Sequence, residues 1–368
     1  MSESHYQLFS CCVPVRGFAR SAIYDLQRKD YWFIPNDLCD LLIKEKGLPI
    51  SGINEKYKHL DIESYFNFLF ENEICFPCRK EDLDRFPELD LQWNIPFEFE
   101  TAIVDFNREP LVRLKRIVSE LNKYAIPNIQ IRFFEAVEED QFKEVLIQFS
   151  DSNMKFLELI VLNRFSQEFI DSMLHEFPKI RLLILTNSTK RSRRDVEQAT
   201  VFETTEHITS HCQCGLIQQA QFAVEMRTYC ESRLHNSCLN AKVSIDVHGN
   251  IKNCPSMKES FGNICDTSIE QALQHVNFKS MWSIKKDDIE VCKDCEFRHM
   301  CSDCRAYLKK ENNRCSQPEK CNYNPYIAKW KGEEGYVPIE HCGTYNNRGN
   351  YIPDLIKIKQ INMDLWGG

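Results

Sequence analysis

The sequence predicts an α/β protein in three successive parts. These are a small winged-helix-like N-terminal domain, an alternating segment that forms a partial (β/α) barrel, and a cysteine-rich C-terminal domain. Three observations predict it. Residues 1–79 read as hairpin, helix, helix, strand. Residues 97–210 alternate strand-length apolar runs with amphipathic helices. Thirteen of the 18 cysteines fall between Cys212 and Cys342. The 368 residues suffice for two to three domains of ~100–200 residues each.

In the first part, 6–15 and 21–26 are strand-like, Arg28-Lys29-Asp30 is a polar turn, and 31–34 resumes a strand, so 21–34 predicts a hairpin. Pro35-Asn36-Asp37 starts a helix to about Glu45, with Asn36 or Asp37 as N-cap and Gly47 beyond its end. Asp61 caps a second helix whose apolar face is Ile62, Tyr65, Phe66, Leu69 and Phe70. Ile74-Cys75-Phe76 is a last short strand. Residues 80–97 are acidic, carry Pro87 and Pro96, and read as a linker.

In the second part, strands at 101–106, 129–134, 156–162 and 180–186 alternate with helices at 111–124, 138–149 and 167–177. That order predicts a parallel sheet or partial barrel. The continuous apolar runs predict strands buried on both faces. Segment 187–200 reads as a solvated polar loop; the alternative is that its run Lys190-Arg191-Ser192-Arg193-Arg194 contacts an acidic peptide or partner. A last strand is expected at 200–206.

From His211 onward the periodicity fades. Segments 243–247 and 250–253 flank His248-Gly249 and predict a hairpin. Residues 268–275 predict a helix. The remainder to about Trp330 is cysteine-punctuated loop, and 331–368 reads as a polar, weakly structured tail. The expected domains are therefore 1–79, 97–210, 211–330 and 331–368.

Charge and hydropathy exclude several function classes. A net charge of −8 and a pI near 5.8 argue against a nucleic-acid binder. No apolar run approaches ~18 residues, so no membrane span is expected. Met1-Ser-Glu-Ser-His-Tyr lacks the basic-then-apolar order of a signal peptide, and a cytoplasmic location is expected. Cysteines concentrated in one third of such a chain point to metal ligation rather than a disulfide scaffold.

Two cysteine sets carry the chemistry. The first is Cys238, ten residues, Gly249, four residues, Cys254, where the hairpin brings both thiols to one end and Gly249 supplies the turn. The second is Cys292-Lys-Asp-Cys295, five residues, Cys301-Ser-Asp-Cys304, then Cys321. A two-residue gap lets backbone N–H groups point at the thiolates and puts both sulfurs on one metal. Zinc ribbons separate their pairs by ~15–20 residues, whereas here the gap is five. Thiolate-only ligation suits iron–sulfur clusters or zinc, and at least seven placed cysteines suggest two centres.

This pattern resembles the SPASM domain of radical-SAM peptide maturases. It is most similar to the SPASM-domain maturases of "grasp-with-spasm" systems, which modify ribosomally made peptides. The matching stretches are Asn236-Ser-Cys-Leu-Asn240, Ile251-Lys-Asn-Cys-Pro-Ser-Met257, Val291-Cys-Lys-Asp-Cys-Glu-Phe-Arg298, Asp303-Cys-Arg-Ala-Tyr307 and Cys321-Asn-Tyr-Asn-Pro-Tyr326. Cys12-Val-Pro-Val-Arg-Gly, Asp25-Leu-Gln-Arg and Phe33-Ile-Pro-Asn-Asp37 also fit. The resemblance implies a leader-peptide recognition domain at 1–79, a radical-SAM-like barrel, two auxiliary [4Fe-4S] clusters, a small precursor peptide as substrate and an ATP-grasp enzyme as partner. One cluster would take Cys292, Cys295, Cys301 and Cys321. The other would take Cys238, Cys254 and Cys304, with Cys214 as fourth ligand and Cys230, Cys212 and His211 in reserve. The general pattern has three residues between its last two paired cysteines; this chain has two. Cys265, Cys315, Cys342, Cys75 and Cys78 fit no motif and read as free thiols.

A radical-SAM enzyme needs C-x3-C-x2-C after its first barrel strand. Here Asn107-Arg-Glu-Pro-Leu111 stands there, and the triplet occurs nowhere. Phe133-Phe134-Glu135 replaces the glycine-rich turn expected after the second strand, and bulky side chains there obstruct close approach to a ligand. The barrel is therefore expected to be degenerate, with no S-adenosylmethionine cluster, and no phosphate-binding glycine loop is present. The first expectation is a factor that binds the precursor and presents it to the ATP-grasp partner, with no catalytic residue of its own. The alternatives are an enzyme using an open-site cluster as Lewis acid or electron carrier, or a zinc-bound adaptor.

Overall fold

The computed structural model describes residues 5–106 and 111–367. Residues 107–110, where a radical-SAM triplet would stand, lie outside the described residues, as do 1–4 and 368. In chain order the elements are β1 (His5–Leu8), β2 (Cys12–Val15), β3 (Ser21–Asp25), β4 (Asp30–Ile34), α1 (Asn36–Lys44), α2 (Ile50–Lys56), α3 (Ile62–Glu71) and β5 (Cys75–Cys78). Then follow β6 (Thr101–Phe106), α4 (Leu111–Asn122), β7 (Asn128–Phe133), α5 (Glu139–Ser150), β8 (Phe156–Leu162), α6 (Gln167–Glu176), β9 (Ile180–Thr186), β10 (Ser192–Val196) and β11 (Ala199–Glu203). The last third holds α7 (Met226–Leu234), β12 (Lys242–Ile245), β13 (Ile251–Lys252), α8 (Ile269–Leu273), β14 (Tyr323–Asn324), β15 (Lys329–Trp330), β16 (Gly343–Tyr345), β17 (Tyr351–Pro353) and α9 (Leu355–Trp366). Among the described residues no helix is long and apolar enough to cross a membrane.

The chain divides into two compact units, each discontinuous in sequence. One comprises Met1–Trp93, Ile217–Ser237 and Ile284–Gly368; the other comprises Asn94–Leu216 and Cys238–Ser283.

In the first unit, β2, β3 and β4 form an antiparallel sheet in that order, and β1 pairs with β5. The period-2 alternation of β3 sends its side chains to two different cores. Ile23 packs with Leu38, Leu42, Ile53, Phe66 and Leu69 of α1–α3. Ala22 and Tyr24 pack with Tyr229, Phe297, Met300 and Tyr323 of the cysteine-bearing segments. Asp61 caps α3 by accepting from the Ser64 N–H at 3.1 Å, as the sequence predicts. Helix α1 differs. Pro35 is its N-cap and no side chain caps it. The Asn36 amide is engaged elsewhere, accepting from Ser21 Oγ at 2.6 Å and donating to Phe18 O at 2.7 Å. The expected single strand at 6–15 is two strands, β1 and β2, separated by a turn. The tail is also more ordered than expected. Strands β16 and β17 and helix α9 close over Tyr326, Ile339, Cys342, Tyr351 and Ile358. Those buried residues are spaced too irregularly for a periodicity argument to find them.

In the second unit, eight strands form one sheet in the order β10-β11-β9-β8-β7-β6-β12-β13. The six strands from β11 to β12 are parallel, and β10 and β13 add antiparallel edges. The expectation of strands buried on both faces holds in part: the second face is buried at Asp105 and Arg132 and half-buried at Gln130 and Glu158, but it is polar rather than apolar. Ala102, Val104, Ile129, Ile131, Leu157 and Leu159 form one fully buried apolar face packed with α4–α6. The alternate positions Asp105, Asn128, Gln130, Arg132, Glu158 and Lys242 make the other face polar. Segment 187–200 is not a loop: Ser192–Val196 is β10. Its charged residues suit an edge strand, where charge discourages further pairing.

Candidate metal centres

Four of the predicted ligands converge in the first unit. The Cys292–Cys295 turn closes with the Cys295 N–H donating to Cys292 O at 3.0 Å, and the Phe297 N–H donates to Cys295 Sγ at 3.4 Å. Cys301 follows one turn later, its N–H donating to Phe297 O at 3.1 Å. Cys321 is brought to this region by its bridge to Ile217. Burial pushes the Cys292 thiol up to about 12 and Cys301 to about 11, and holds Cys295 well above the ordinary range. Cys321 raises all three further, which marks the four sulfurs as neighbours. Without metal, Cys292, Cys295 and Cys301 are protonated at neutral pH, so metal uptake displaces protons there.

Lys286 lies among them. Its side chain is 3% exposed, and its Nζ stands 3.9 Å from Cys292 Sγ and 3.8 Å from Cys301 Sγ. Behind it, Asp303 Oδ1 is 3.6 Å from Lys286 Nζ and 2.6 Å from the Arg305 guanidinium, while Asp303 Oδ2 accepts from Asn236 Nδ2 at 2.5 Å. All four polar side chains are buried.

The second unit gathers Cys214, Cys238 and Cys254 around Lys242. Lys242 Nζ donates to Cys238 Sγ at 3.6 Å. Burial opposes the Lys242 charge, and the fields of Cys238, Cys254 and Cys214 outweigh it, so its pKa ends above the ordinary value. Burial, then the Cys238 charge, pushes Cys254 up to about 12. Cys238 and Cys254 flank the open end of the β12–β13 hairpin. Asp246 Oδ1 accepts from the His248 and Asn250 N–H groups, and Gly249 turns the chain at φ +83°. A Cβ there would meet Asn263 Oδ1 at 3.1 Å.

Cys304 belongs to the first unit and Cys214, Cys238 and Cys254 to the second. Of the reserves, Cys230 is buried in the first unit's core with Tyr24 and Tyr229, and Cys212 Sγ lies 3.7 Å from His211 Nδ1 in the second. No disulfide forms among the described residues. Cys75 and Cys342 are buried in apolar cores, and Cys265 and Cys315 belong to neither set.

Sequence reasoning missed the charged residues that accompany the thiols. Arg132 makes a bidentate, buried pair with Asp105 at 2.6 and 2.9 Å, and it feels the Cys214 and Cys254 charges. A signal was present: each residue stands fifth in a six-residue strand, and the two are direct register partners. Also missed was the grouping of Cys11, Cys12 and Asp25 within 4.8 Å. There Asp25 Oδ1 is already engaged by the Gln27 and Arg28 N–H groups.

No family model matches the chain, and no curated protein does. Among solved structures, Streptococcus suis SuiB bound to S-adenosylmethionine aligns at 11% identity over 86% of this chain and 99% of that chain, with a TM-score of 0.39. SuiB bound to the precursor peptide SuiA aligns at 10% identity over the same shares, 86% and 99%, with a TM-score of 0.38. At these TM-scores the functional reading rests on this chain's own residues.

Proposed function

We propose that this chain is a maturation factor for a ribosomally synthesised peptide, binding the precursor and presenting it to an ATP-grasp enzyme. The observation that carries the reading is the meeting, in one unit, of the N-terminal sheet and the Cys292–Cys321 set. Peptide capture and the metal centre then share one compact unit. Cys292, Cys295, Cys301 and Cys321 hold one [4Fe-4S] cluster, and Cys214, Cys238 and Cys254 hold another. A single zinc ion at ~2.3 Å from each sulfur needs sulfurs about 3.8 Å apart. No three of these cysteines lie within 4.8 Å of one another among the described residues, and wider spacing suits a cluster. Bound clusters supply electron transfer and structural cross-linking. The residues of the chain contribute the buried donors, the charge around them and the strand edge that receives the peptide.

One observation favours a second reading. Cys214, Cys238 and Cys254 form a three-thiolate set beside the Asp105–Arg132 pair on the polar face of the sheet. Three thiolates leave one iron for an outside ligand, and this reading makes the chain an enzyme in its own right.

Reconstitution tests the proposal. Precursor and ATP-grasp enzyme are incubated with and without the full chain, and with S-adenosylmethionine added. The chain should be required for modification, and 5′-deoxyadenosine should stay at the no-protein level. Modification at an undiminished rate without the chain would sink the presentation role. Deoxyadenosine formation would overturn the absence of a radical-SAM cluster.

A further inference from the structure

We infer that Lys286, backed by Asp303, sets the reduction potential of the Cys292–Cys295–Cys301–Cys321 centre, and that Lys242 does the same for the Cys214–Cys238–Cys254 centre. The inference rests on the iron–sulfur reading above.

Counting charge leads to it. Lys286, Arg305 and Asp303 are all buried and in contact, with two cations to one anion. Arg305 also donates to the Ser316 carbonyl at 2.7 Å, so the guanidinium is held by Asp303 and backbone. The Lys286 ammonium is left facing two thiol sulfurs. A buried charge without compensation is costly, and the thiolates of a loaded centre provide the missing negative charge. The second unit repeats the device at Lys242 and Cys238. Two separate cysteine sets, each with one ammonium 3.6–3.9 Å from its sulfurs, buried at Lys286 and half-buried at Lys242, form a repeated feature that metal ligation alone does not require.

The consequence has a definite sign. The centre accepts one electron from an external one-electron donor and returns it, with no bond made or broken. Its reduced state carries one more negative charge, which the ammonium stabilises more than it stabilises the oxidised state. Removing the cation therefore lowers the potential, and removing the Asp303 carboxylate raises it. Net charge and hydrogen bonds to sulfur are among the recognised controls on such potentials.

The test is a spectroscopic redox titration of the anaerobically reconstituted full chain. For Lys286→Met, one centre should shift at least tenfold toward the oxidised form at fixed ambient potential, about 59 mV for one electron, while the other stays put. Lys242→Met should move the other centre. Lys286→Arg should retain the wild-type potential, and Asp303→Asn should shift the first centre in the opposite sense to Lys286→Met. A Lys286→Met chain that keeps its iron and titrates within twofold of wild type overturns the inference and leaves the iron–sulfur reading standing. Where Lys286→Met loses iron, Asp303→Asn decides, and no upward shift overturns the inference. Wild-type protein without iron or sulfide removes the reading itself and the inference with it.

Discussion

The Tyr24 hydroxyl donates to the backbone carbonyl of Glu296 at 2.5 Å, joining the middle strand of the N-terminal sheet to the cysteine loop 272 residues later. Arg20 adds an ion pair to the Glu296 carboxylate at 2.7 Å, and Phe297 packs on Tyr31 and Phe33 of β4. Tyr24→Phe leaves that carbonyl buried without its donor, at a cost of about 1–3 kcal/mol. Chemical denaturation of the metal-loaded full chain should show that loss together with faster metal release. Unchanged stability and release would mean that the sheet and the loop are energetically independent.

Gly17 stands at the same contact. A Cβ there would lie 2.2 Å from Arg20 O and 2.9 Å from Glu296 Cβ. Backbone oxygen cannot yield as a flexible side chain can, so Gly17→Ala should cost about 2 kcal/mol or more. The melting temperature of the loaded protein measures it, and a shift within error would contradict the close packing.

Glu45 gives the N-terminal helices an acid-sensitive tie. Its carboxylate is 6% exposed, and Oε1 accepts from Lys56 Nζ at 2.6 Å and Tyr57 OH at 2.5 Å. These bonds hold its pKa below the ordinary 4.5. A depressed folded-state value contributes stability above the unfolded pKa and loses it as pH falls through the folded value. Glu45→Gln should therefore cost about 1 kcal/mol at neutral pH, discounted because Lys56 is largely exposed. The gap between variant and wild type should close below pH 4.5. A gap that persists unchanged at acid pH would assign the effect to packing.

Peptide capture is expected at β4, the edge of the order β2-β3-β4. An added strand gains backbone hydrogen bonds there and takes specificity from side-chain pockets. The measurement needs the full chain, because Val15, Ala22, Tyr24 and Leu26 are buried by residues beyond 220. Calorimetry with the cognate leader should give a micromolar Kd, near −8 kcal/mol. Binding no tighter than millimolar would remove the capture role.

The sequence showed most clearly what local chemistry writes. The hairpin at 21–34, the α3 cap at Asp61 and the β/α alternation each follow from neighbouring residues. The cysteine spacings likewise marked Cys292, Cys295 and Cys301 before any geometry was known. What stayed hidden depends on distant partners. Helix α7 buries Tyr229, Cys230 and Ser232, a face with no apolar period. Ala22 and Tyr24 look like ordinary hairpin residues until Phe297 arrives from the far end of the chain. Nothing in the sequence sets Lys242 and Lys286 apart from surface lysines, because only the fold places thiols around them. The polar face of the parallel sheet was obscured by residues such as Ile103 and Ile160, which fill gaps in the charged alternation.

Metal analysis of the anaerobically purified and reconstituted full chain tests the central claim most directly. Two four-iron clusters predict about eight iron and eight sulfide per chain, with broad absorbance near ~400 nm. Cys292→Ala should lose half of that iron and loosen the loop, because ligation there substitutes for a core. One or two zinc per chain, with no such absorbance and no sulfide, would contradict the account.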